Sequence, residues 1–103
     1  MTRAILPERR AVETFDLRHD SMSFTVSIGF YDDGRPGEVF VTGTKAGSGV
    51  EAVSRDGAIL ISLALQHGVP VDVIRHAVTR TAGDEPSSII GAVVDRLVQE
   101  VGS

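Results

Sequence analysis

Phe24, Val26, Ile28 and Phe30 alternate with Ser23, Thr25, Ser27 and Gly29. Strict alternation at period two predicts a strand with one face in a core and the other face polar. Upstream, Ala11 to Arg18 reads as a first strand with Glu13, Phe15 and Leu17 on one face, and the turn-like His19-Asp20-Ser21 follows it. Downstream, Asp32-Asp33-Gly34-Arg35-Pro36-Gly37 is a turn cluster whose glycines accept positive φ. Glu38 to Thr42 resumes as a third strand. Short connections between neighbouring strands favour an antiparallel meander.

The period then lengthens to 3.6. Ser48-Gly49-Val50-Glu51 fits a capping box, in which the Ser48 hydroxyl meets the Glu51 amide and the Glu51 carboxylate reaches back. Val53, Gly57, Leu60, Ile61, Ala64 and Leu65 predict an apolar stripe along this first helix. His67-Gly68 closes it, with an imidazole at the negative end of the dipole and Gly68 as a left-handed cap. Pro70 suits the first turn of a second helix carrying Val71, Ile74 and Val78, which Gly83 is expected to end. Asp84, Ser87 or Ser88 caps a third, with Ile89, Ile90, Val93, Val94, Leu97, Val98 and Val101 inside it.

The predicted class is therefore α+β: a three-stranded antiparallel β-meander followed by three helices packed on one face of the sheet. Residues 1–10, with Pro7, form an N-terminal arm, and residues 11–103 form a single domain. The reverse face of the sheet, rich in Ser and Thr but carrying Phe40, is left to solvent or a partner. A short meander also has two open edges, and symmetric pairing commonly covers such surfaces. Self-association as a homodimer is the expectation.

Composition narrows the setting. Ten basic against 14 acidic residues give a net charge of −4, with no basic face of the kind a duplex nucleic-acid binder uses. Zero Cys removes disulfides, thiolate metal sites and thiol nucleophiles in one step. The N-terminal residues hold no apolar signal core and the chain holds no membrane-length apolar run, so the expected location is cytoplasmic.

Candidate chemistry concentrates in Thr42-Gly43-Thr44-Lys45-Ala46-Gly47-Ser48-Gly49, which joins a strand to a helix N-terminus. Unpaired amides and the helix dipole favour an anion there. Lys45 would supply charge, Ser48 a hydroxyl, and Gly47 and Gly49 their amides. The spacing is not that of a Walker motif, and the plainer reading is a glycine-rich connection in which Ser48 only caps the helix. His19, His67 and His76 do not pair at metal-ligand spacing, so no metal site is expected. Asp32-Asp33 is explained by turn chemistry, and no serine sits in a nucleophile elbow. Arg9-Arg10 offers an anion contact, but the plainer reading is a solvated arm. No catalytic residues, no cofactor and no enzymatic activity of the chain by itself are expected.

From Leu6 onward the order of motifs is familiar. It runs Leu6-Pro7-Glu8-Arg9-Arg10, Ile28-Gly29-Phe30-Tyr31, Asp33 to Val41, Lys45-Ala46-Gly47-Ser48, Leu63 to Pro70 and Ser87 to Asp95. This order resembles the TSCPD domain family, found at the C-terminal end of adenosylcobalamin-dependent ribonucleotide reductases and as small stand-alone proteins. The family is named for a Thr-Ser-Cys-Pro-Asp motif, whereas Ser87-Ser88-Ile89-Ile90-Gly91 stands near its place here and carries no thiol. The resemblance implies a stand-alone, non-catalytic accessory or regulatory domain associated with ribonucleotide reduction and deoxynucleotide metabolism. Its implied partner is a ribonucleotide reductase subunit or another protein. The alternative is a small anion- or nucleotide-binding module that uses the loop from Gly43 to Gly49.

Overall fold

The computed structural model describes residues 2–43 and 48–102. Three strands, β1 (Val12–His19), β2 (Met22–Phe30) and β3 (Pro36–Gly43), precede three helices, α1 (Gly49–Gln66), α2 (Val71–Ala77) and α3 (Ile89–Gly102). The sheet order is β1-β2-β3 and both pairings are antiparallel, so the α+β meander expected from the alternation is the observed fold. Asp20 and Ser21, both at positive φ, make the tight turn between His19 and Met22. Gly34, at φ 88, turns the chain between β2 and β3, where a register shift at Gly29/Phe30 sets Phe30 opposite Pro36.

One face of the sheet is the core. Phe24, Val26 and Ile28 of β2 lie with Val39 and Val41 of β3 beneath Ala58, Ile61 and Leu65 of α1 and Val93, Val94 and Leu97 of α3. Val71 and Ile74 of the short α2 close the cluster. Helix ends follow local chemistry. The Ser48 hydroxyl accepts the Glu51 amide at 3.1 Å, and Gly68, at φ 86, caps α1 as its glycine predicts. Of the three candidate caps for α3, the structure selects Ser88, whose Oγ accepts the Gly91 amide at 3.1 Å.

Two expectations are corrected. The stripe expected to face the core on α1 is out of phase: Ile61 and Leu65 are buried, but Val53 is 69% and Leu60 67% exposed. From Gly57 on the helix is apolar nearly all round, so periodicity alone cannot select its inner face. The choice falls to β3, against which α1 turns Ser62 and Gln66.

The second correction concerns α2, which ends at Ala77 rather than at Gly83. The chain instead makes a small hairpin, with Thr81 donating to the Glu85 carbonyl at 2.8 Å and Ser87 to that of Thr79 at 3.1 Å. Its anchor is Arg80, whose guanidinium grips Asp95 on α3 at 2.9 and 3.0 Å and Asp84 at 2.8 Å. Those contacts exist only if the helix stops first. They raise the Arg80 pKa, chiefly through the Asp95 hydrogen bonds, and Arg80 followed by Arg75 holds the Asp84 carboxyl below its usual range.

Candidate functional site

β3 is an edge strand, and its outer backbone groups need partners. α1 supplies them. The Ser62 Oγ accepts the Val39 amide at 2.8 Å and lies 3.2 Å from the Val39 carbonyl. One turn later, Gln66 Nε2 donates to the Gly37 carbonyl at 2.9 Å. Two polar residues four apart in the otherwise apolar second half of the helix, from Gly57 on, therefore clip it to the open edge.

The N-terminal arm wraps the start of the same strand. Ala4 donates to the Gln66 carbonyl at 2.7 Å, the Tyr31 hydroxyl donates to the Ala4 carbonyl at 2.8 Å, and the Arg3 Nε donates to Gln66 Oε1. Leu6 packs where a side chain on Gly37 would stand, so the close approach requires glycine there. Arg10 is not solvated as part of a free arm. It donates to the Pro7 carbonyl at 2.6 Å and pairs with Glu38, 2.8 Å from its Oε2. Glu38 is only 7% exposed and lies across Gly29, its neighbour on β2, whose missing side chain makes the space.

Between the arm, β3 and α1 runs a groove of about 1020 Å³. Ile5, Phe40, Ile59 and Leu63 give it apolar walls, and Arg3, Arg10 and Arg55 border it. Phe40 is 57% and Ile59 52% exposed, which is unusual for side chains of this size in one surface depression. The groove's Ser62, Gln66, Arg10 and Glu38 are engaged in holding the edge and the arm. What the groove presents to a ligand is therefore apolar contact area, with Arg3 at its border and the Arg10 and Arg55 charges offset by Glu38 and Glu51.

The residues picked out by sequence are distributed differently. Lys45 and Gly47 lie outside the described residues. Ser48 is the N-cap of α1, and Gly49 is an exposed first-turn residue with open space where a side chain would stand. His67 Nδ1, at the C-cap of α1, lies 2.9 Å from the Leu63 carbonyl, and His76 Nδ1 on α2 lies 2.8 Å from that of Asp72, each one turn back along the chain. His19 sits beside Asp20, 3.5 Å away. Asp33 accepts from the Arg35 amide and guanidinium, which hold its carboxyl below the usual range, as a turn aspartate should. Among the described residues no three His, Asp or Glu side chains are grouped to hold a metal ion. Among them, too, no helix is long and apolar enough to cross a membrane. The groove escaped sequence reasoning; its one legible signal was Ser62 and Gln66, four apart in an apolar run.

Comparison with known proteins agrees on one family. The chain is 30% identical over 104 residues to a vitamin B12-dependent ribonucleotide reductase of Rhodopirellula baltica, covering 94% of this chain and 10% of that protein. The reductases of the same name from Bradyrhizobium diazoefficiens and Agrobacterium fabrum are 34% and 35% identical, over 84% and 82% of this chain and 7% of each relative. The chain thus spans a tenth or less of the curated relatives it matches. No solved structure matches it. The family model of the TSCPD domain covers residues 2–101, and with the reductase relatives it establishes that this chain belongs to the TSCPD domain family.

Proposed function

We propose that this chain is a non-catalytic accessory module of ribonucleotide reduction, which binds a reductase chain through the groove beside β3. The observation that carries the reading is the exposed apolar wall formed by Phe40, Ile59 and Leu63 in a domain whose relatives hold it as a small part of a much longer chain. A domain built into a larger protein presents apolar surface to its neighbour. The same surface here calls for such a neighbour. At the border Arg10 and Arg55 are already paired with Glu38 and Glu51, so Arg3 is the charge that favours an acidic group beside an apolar centre on the partner. The reductase chemistry belongs to the partner in this reading.

The test uses the purified chain and a vitamin B12-dependent ribonucleotide reductase from which the matching region has been deleted. Saturable binding by calorimetry, lost in Phe40→Asp and accompanied by a change in reductase turnover, is the expected result. Phe40 is exposed, so its substitution leaves the fold intact. Absence of binding at the highest soluble concentrations, with turnover unchanged, would overturn the proposal.

A further inference from the structure

The core does not account for one ridge of α1. Val53, Asp56, Leu60, Leu63 and His67 follow one another at intervals of three, four, three and four residues, which aligns them along a single side of the helix. Val53, Leu60 and Leu63 are 69%, 67% and 38% exposed. Asp56 is exposed in the midst of them and, among the described residues, meets no cation. At the other end His67 turns Nδ1 to the Leu63 carbonyl, which can only accept, so Nδ1 carries a proton, and Nε2, which bears the second proton of the imidazolium, is the donor left to meet a carboxylate. The ridge therefore reads acid, leucine, leucine, imidazole.

That order is complementary to its own reverse. We propose that the ridge is the contact between two copies of this chain, α1 lying antiparallel to α1 of the second copy about a two-fold axis between Leu60 and Leu63. Leu60 then packs on Leu63 of the partner subunit, and Asp56 meets His67 of the partner subunit. Each pair occurs twice, as an isologous contact requires. A parallel arrangement would instead set Asp56 against Asp56 of the partner subunit, so the charge pattern selects the antiparallel one. Opposed helix dipoles act in the same direction. The stretch from Asp56 to His67 is about 16 Å long, with an apolar centre and polar ends. A stable pair takes about 800 Å² from each partner, about an eighth of this chain's 6284 Å², so Val53 and the exposed Ile59 beside the ridge join the contact. The contact shares Ile59 and Leu63 with the groove, but Leu60 and Asp56 lie outside the groove and Phe40 outside the ridge, so Leu60→Glu and Phe40→Asp test the two readings separately.

Sedimentation equilibrium on the full chain, from micromolar to submillimolar concentration, tests it. The wild type is expected to approach twice its 10.9 kDa mass, and Leu60→Glu to stay monomeric with an unchanged far-ultraviolet spectrum. Asp56→Lys and His67→Glu, each alone, should weaken the dimer about tenfold or more through the lost or reversed charge contact. Mixed together they should recover it as a heterodimer visible by native mass spectrometry. The mixed pair sets the introduced lysine against the introduced glutamate at one end and keeps Asp56 against His67 at the other. A monomeric wild type, a dimer indifferent to Leu60→Glu, or a mixture that fails to recover would each overturn the proposal.

Discussion

Ser62 on α1 faces both backbone groups of Val39 on β3: its Oγ accepts from the amide nitrogen at 2.8 Å and lies 3.2 Å from the carbonyl oxygen. The same hydroxyl lies 2.8 Å from the Ala58 carbonyl in its own helix. One short side chain thus joins a sheet edge to the helix that covers it. Val39 is 2% exposed, so water does not readily replace the hydroxyl there. Ser62→Ala should destabilise by about 1–3 kcal/mol, the range for a buried donor left without a partner. Urea unfolding should show a lower midpoint with an unchanged slope.

Arg10 and Glu38 hold the arm to the far side of the same strand. Arg10→Ala strands a carboxylate that is 7% exposed over Gly29 and is expected to cost about 1–3 kcal/mol. Adding Glu38→Gln should recover part of that loss, because the amide is cheaper to bury unpaired. A double-mutant cycle by denaturation measures the coupling; simple additivity would show that the pair does not hold the arm.

Gly68 ends α1 at φ 86, where a Cβ crowds the backbone. Gly68→Ala should cost about 1–2 kcal/mol. Gly49→Ala is the control, because its Cβ would meet open space at an ordinary helical position. Thermal melts of the two variants should therefore move apart.

Asp84 gives the hairpin after α2 a dependence on acidity. Its folded pKa is lowered, first by the Arg80 hydrogen bond and then by that of Arg75. The stability it adds is therefore full above the usual carboxylate value of about 4 and is lost as the pH falls through the lower folded value. Asp84→Asn, which tolerates the positive φ of this position, should melt below the wild type at neutral pH. The gap should close in acid, and a gap constant with pH would count against the ion network.

How far the sequence reached depends on the range of the forces involved. The turn at Asp20-Ser21 and the caps at Ser48 and Gly68 rest on contacts within a few residues, and the strands and their order on alternation and short connections, so the pattern of the chain by itself determined them. Alternation at period two has one apolar face, so burying Phe24, Val26 and Ile28 left a single solution for β2. α1 had no such uniqueness. Val53 and Leu60 are as apolar as Ile61 and Leu65, and only the demand of the β3 edge for Ser62 and Gln66 turned one set inward and the other outward. The end of α2 was likewise decided by Arg80 reaching Asp95, fifteen residues away on another helix. The groove joins residues of the arm, β3 and α1 that are distant in the chain, such as Arg3 and Gln66. Local propensity carries no information about such pairs, so only the packed tertiary structure, where an unmet backbone group or a buried carboxylate must find its partner, could decide them.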